Sequence, residues 1–301
     1  MKKWIINGVA AFLILAVVLL PGASYAITVS SDGSASIDWS QLSFTLTGGA
    51  TVDWTAAGLF GPGLDTRGSF SAVTAGVNTQ PVIYDAVDFN DGAPWSNTAA
   101  AFTSTVGTNT AAGTANTGTP ATAFDPATSF AANSINAASN VVLNSKATTG
   151  DVFSQGVLSG QFTVSADTTL SITVPYTLAL TMLSNLGALS NSAAVTAALV
   201  LSDFNTTDPA TGQSLVLQQD VQTLPNLING IGSFASSQSG ILTLSLPLFA
   251  LDAFGNPFVY DFEASATASA SAQTVPEPAT LILLGSGMAF LAIFRKRFER
   301  S

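Results

Sequence analysis

Leu170, Ile172 and Val174 alternate with Thr169, Ser171 and Thr173, and Leu242, Leu244 and Leu246 alternate with Thr243 and Ser245. A repeat of two sends successive side chains to opposite faces, so both stretches predict half-buried strands with their hydroxyls outward. Turn-forming clusters separate such stretches. Val164-Ser165-Ala166-Asp167-Thr168 lies between QFTV and TLSITV and predicts a hairpin. NTTDPATGQ, residues 205–213, predicts a second turn, between AAVTAALVLSDF and SLVLQQDVQ. LDAFGNPFVYDF predicts a third at residues 254–257. Strands at this spacing predict an all-β ectodomain of the β-sandwich or jelly-roll kind.

In FEASATASASA, Ala264, Ala266, Ala268, Ala270 and Ala272 alternate with Ser or Thr. Alanine favours helix, but a helix would scatter these hydroxyls over its whole surface. The period of two outranks propensity and predicts a strand packed closely against a second sheet. Residues 97–129, dense in Thr, Ala, Gly and Asn, show little periodicity and predict a long loop, insertion or linker. No repeat of 20 to 50 residues signals a solenoid.

The two ends carry apolar runs of different meaning. Residues 1–26 join a dibasic start to an apolar core, Pro21, Gly22 and a small-residue site with Ser24 and Ala26 at its −3 and −1 positions. This is the pattern of a secretory signal peptide, with the mature chain starting at Ile27. Residues 279–294 contain no charge and, as a helix, would extend about 24 Å, enough for a marginal transmembrane span. Gly285 and Gly287 fall inside it, a residue type common in membrane helices. Arg295, Lys296 and Arg297 follow at once and by the positive-inside rule stay cytoplasmic, as part of a basic end at 295–301. The body, residues 27–274, would then face the periplasm.

The chain has 301 residues and neither cysteine nor histidine. Disulfides, thiolate nucleophiles and Ser-His-Asp or Cys-His catalysis are therefore excluded. Between residues 27 and 274, sixteen acids face two bases, Arg67 and Lys146. An acidic surface of that kind repels phosphate backbones, which argues against a nucleic-acid partner.

Val275, Pro276, Glu277 and Pro278 stand between the body and the apolar run. Two prolines around one residue keep the tetrapeptide extended and accessible. The order V-P-E-P, apolar run with Leu284-Gly285-Ser286-Gly287, then arginine-rich end closely resembles the PEP-CTERM sorting signal of Gram-negative bacteria. That resemblance implies recognition by an exosortase, an integral-membrane cysteine transpeptidase. It also implies removal of the helix and delivery to the surface or extracellular matrix, with association to exopolysaccharide or biofilm. Phe298 and Glu299 interrupt the usual run of arginines. The body loosely resembles ectodomains found with such tails, which mostly have no assigned activity, and a non-enzymatic protein is expected.

Candidate chemistry in the body is sparse. Asp85, Asp88 and Asp91 are the densest acids, and Asp88, Asn90 and Gly92 suggest an oxygen-ligand calcium loop. The glycine falls at the fifth position instead of the sixth, and Ala99 stands where glutamate belongs, so a solvated turn is the plainer reading. Asp85 with Asp88, or Asp261 with Glu263, is a carboxylate pair of the type that hydrolyses glycosidic bonds. The second pair shares one strand face, which is also where acids ordinarily sit. Trp39, Trp54, Trp95 and Tyr84 would serve a carbohydrate-binding module as a sugar platform, or else lie in the core. Threonine-rich strands suit ice, but no regular T-x-T array occurs.

Overall fold

The computed structural model describes residues 28–53, 63–74, 77–78, 84–85, 99–116, 134–144, 148–185, 188–207, 209–210, 212 and 214–274. In chain order its strands are β1 (Val29–Asp38), β2 (Ser43–Leu46), β3 (Val52–Asp53), β4 (Gly63–Thr74) and β5 (Val77–Asn78). Then come β6 (Tyr84–Asp85), β7 (Ala99–Val106), β8 (Asn109–Asn116), β9 (Ser134–Leu143) and β10 (Thr148–Val164). The chain continues through β11 (Thr168–Ser184), β12 (Ala188–Thr207), β13 (Ser214–Ile228), β14 (Gly232–Leu248) and β15 (Tyr260–Thr274). A single 3-10 turn, Trp39–Gln41, joins β1 to β2 among the described residues. No described helix is long and apolar enough to cross a membrane. The expected signal peptide, residues 1–26, and the run at 279–294 lie outside the described residues.

Two antiparallel sheets form a sandwich, as the alternation predicts. The first has the order β14-β11-β1-β9-β8-β7, with β2 also on β11. The second has the order β13-β12-β15-β10-β4-β5, with β3 on β10 and β6 on β4. Along one edge of β11, β1 pairs with residues 176–184 and β2 with residues 170–173. The 3-10 turn interrupts this pairing beside Pro175, which has no N–H to offer a partner.

Two expectations about connections change. Residues 165–167 do turn the chain, but β10 belongs to the second sheet and β11 to the first, so the element is a corner and not a hairpin. Thr47, Thr51, Ser165 and Thr168 tie that corner together, with the Thr168 hydroxyl donating to the Thr47 carbonyl at 2.7 Å and the Thr51 N–H donating to Ser165 Oγ at 2.9 Å. The second change concerns residues 97–129. Here β7 and β8 form a hairpin over 99–116 that extends the first sheet beyond β9. Its inward positions include Ala111 and Ala115, both essentially buried, which are too small to register as a hydrophobic period yet fit where the sheets lie close. The turn at 205–213 is a true hairpin within the second sheet. That at 254–257 is built by Asp252, whose carboxylate accepts from the Phe254 and Asn256 N–H groups at 2.8 Å, with Gly255 at φ 82°.

The interior is wedge-shaped in its chemistry. At one end, Trp39, Phe162, Tyr260 and Phe262 fill the gap, with Phe162 stacked on Tyr260 at 5.4 Å and Trp39 tilted against Phe262 at 5.9 Å. Along β15 the inward residues then shrink to Ala264, Ala266, Ala268, Ala270 and Ala272, all 2% exposed or less. There the backbones nearly touch: a Cβ on Gly156 would lie 2.9 Å from the Asn136 carbonyl oxygen of the opposite sheet. The Ser139 hydroxyl donates across the interface to the Ala268 carbonyl at 2.7 Å. Asn191 likewise reaches across to the Ser30 carbonyl at 2.7 Å.

The register fixes which chain ends meet. Thr274 pairs with Ala188 and Gln273 with Thr149, while Val29 pairs with both Leu143 and Ser184. Val29, Leu143, Ala270 and Ala272 share one buried cluster. The start of β1 and the end of β15 therefore lie at the same pole, termed the tail pole.

Candidate functional site

Asp261 and Glu263 project from the same face of β15, two residues apart, as the sequence predicts. Across the neighbouring strands Asp261 is flanked by Gln161 of β10 and Ser202 of β12. Burial pushes the Asp261 carboxyl up to about 6, and the charge of Glu263 adds to the effect. Burial also raises Glu263, which a hydrogen bond with Ser265 partly offsets. Gln161 is 3% exposed, and its side-chain amide nitrogen has no hydrogen-bond partner. Two carboxyls that resist joint ionisation lie here beside an unsatisfied amide donor. Sequence reasoning found the acids but missed Gln161, because the pairing joins positions a hundred residues apart.

The other candidates do not converge on this site. Trp39 is 1% exposed and belongs to the core, so its part in a sugar platform is overturned: the 3-10 turn rotates the indole inward onto Phe262. Trp54 and Trp95 lie outside the described residues. On β6, Tyr84 and Asp85 stand opposite Gly68 and Arg67 of β4. Asp88, Asn90, Asp91 and Gly92 of the calcium-loop reading lie outside the described residues, and Ala99 opens β7. Among the described residues no three acids gather as metal ligands. A shallow groove of about 440 Å³ runs between Ser36, Asp38, Gln41, Thr177 and Ser239. Its acid is already held, since Asp38 accepts from Ser40 at 2.5 Å and Gln41 at 2.6 Å.

β15 is the middle strand of its sheet, paired on both sides, and Thr274 is 2% exposed. The V-P-E-P tetrapeptide begins at the next residue. Residues 274–297 match the family model of the PEP-CTERM protein-sorting motif. The chain carries a PEP-CTERM sorting motif. That motif marks an exported protein, processed by an exosortase and sorted to the cell surface. It covers Val275, Pro276, Glu277, Pro278, Gly285, Gly287, Arg295, Lys296 and Arg297, all outside the described residues, as are Ser24 and Ala26. No curated protein matches the chain with significance. The PEP-CTERM tail thus follows directly on a strand clamped from both sides, with no described linker between body and motif.

Proposed function

We propose that the protein is a non-enzymatic component of the cell surface or extracellular matrix, made as a precursor that faces the periplasm and is held by residues 279–294 in the inner membrane. A signal peptidase removes residues 1–26, and an exosortase cuts within Val275–Pro278 to free or transfer the β-sandwich, which then associates with exopolysaccharide. The observation that carries this reading is the junction at Thr274. Thr274 is paired within the sheet, and the two prolines of V-P-E-P, which follows at once in the sequence, favour an extended peptide that a membrane-embedded enzyme can reach. Replacing Pro276, Glu277 and Pro278 with alanine and following a tag on the body tests it. Retention of the body with the membrane is expected, and normal release would leave 279–294 as a plain anchor.

A second reading is favoured by the raised carboxyls of Asp261 and Glu263: an enzyme acting on polysaccharide, with Asp261, pushed up to about 6, as its acid. Release of reducing sugar that disappears in Asp261→Asn would select it over the structural role.

A further inference from the structure

The turns at the tail pole differ in charge from those at the opposite pole, and large apolar side chains are exposed beside them. Among the described residues the turns at 107–108 and 229–231 lie there, with Asn144 and Asn185 at the ends of β9 and β11. None of these residues is Asp or Glu. The opposite pole carries Asp38, Asp167 and Asp252 at or within its connections. Large apolar side chains are exposed around the tail pole: Leu183 at 39%, Leu189 at 52%, Leu227 at 57% and Ile231 at 66%. They come from the adjoining ends of β11, β12, β13 and β14, held together by the pairing of Ser184 with Gly232 and by the Ser184 hydroxyl donating to the Gly230 carbonyl. Leu189 lies next to Ala188, the residue paired with Thr274, so this apolar rim adjoins the exit of the tail.

We propose that the tail pole is a membrane-contact surface, with Leu183, Leu189, Leu227 and Ile231 seated in the headgroup layer of the bilayer that holds the precursor. This rests on the tethered-precursor reading above. The length of chain between pole and bilayer argues for it directly. Only Val275–Pro278 separate Thr274 from the apolar run at Ala279, a reach of about 17 Å even when fully extended. A body tethered that closely must present some surface to the lipid, and the described turns at the tether carry no acid, the nearest being Asp32 and Asp151, each three residues into its strand. An acidic pole would be repelled by anionic headgroups; this one offers exposed leucine and isoleucine. The apolar residues of the far pole, Phe254 among them, are some 50 Å away along β15 and cannot reach the same layer. Two attachments, the tail and the rim, fix the sandwich with its strands upright and hold V-P-E-P in the shallow layer.

The chain has no cysteine, so a single reporter thiol can be placed at will. Ile231→Cys and Phe254→Cys, each labelled with an environment-sensitive fluorophore, are compared in the full-length chain reconstituted into phosphatidylethanolamine and phosphatidylglycerol vesicles. Spin-labelled lipid is expected to quench the label at 231 at least about twofold more than that at 254, and aqueous iodide to show the reverse order. Equal iodide quenching at both positions, in chain that resists an alkaline carbonate wash, overturns the contact surface while leaving the tether intact. Chain that washes off the vesicles overturns the tether and the contact with it. Shielding at 231 that vanishes as protein is diluted at constant lipid overturns the lipid assignment in favour of a second copy.

Discussion

The aromatic end of the sandwich and its alanine end solve the same problem by opposite means. Around Trp39, Phe162, Tyr260 and Phe262 the sheets are held apart by large rings, and stability comes from apolar area removed from water. From Ala264 to Ala272 each side chain contributes little area, and the gain lies in close approach of backbones, with Ser139 and Asn191 bonding directly across the gap. One region tolerates no loss of volume and the other no gain. A protein without disulfides thus joins a thick hydrophobic wedge to a thin seam in which small residues are as constrained as large ones.

Truncation at the thick end has the largest expected effect. Phe162→Ala should cost about 3–5 kcal/mol, read as a lowered urea midpoint, because a buried ring is lost and its neighbours collapse only partly. A cost below that of an ordinary surface change would mean that the rings are not the main support. The thin end is broken by addition. Gly156→Val should cost about 1–3 kcal/mol, since its Cβ meets a backbone oxygen that cannot rotate away, whereas the same change at a solvent-facing strand position should not. Equal costs at the two positions would remove the distinction between seam and surface.

The smallest effect concerns the outer face. Asp261 has a folded value of about 6 against an ordinary 3.8, so the folded state holds the proton more tightly than the unfolded chain. The stability this contributes is complete below pH 3.8 and is lost as the pH rises through about 6. Asp261→Asn should therefore be more stable than the parent above pH 6, by roughly 1 kcal/mol once partial solvent screening is allowed for, with a flatter profile between pH 4 and 6. An unchanged profile in thermal melts across that range would show that the carboxyl is solvated.

Residue alternation made the strands readable where large and polar side chains take turns, as at 170–174 and 242–246, and where hydroxyls make the alternation audible among alanines, as at 264–272. It failed at 99–116, and in β8 the reason is plain: Asn109, Ala111, Gly113 and Ala115 take the inward positions and leave little hydropathy contrast. It also could not say that the chain changes sheets at 165–167, because a hairpin and a corner share the same turn chemistry and differ only in which distant strands pair. The sorting tail was legible because its order of proline, acid, apolar run and basic end is local to the sequence. The surroundings of Asp261 were not, because Gln161 and Ser202 reach it only through strand register.

The central place of β15 also governs timing. Its neighbours β10 and β12 pair with it and not with each other, so the two halves of the second sheet, β13-β12 and β10-β4-β5, are joined only by the strand that immediately precedes the sorting motif. The first sheet and each of those halves can pair beforehand, but the sandwich is closed only when this last strand is in place.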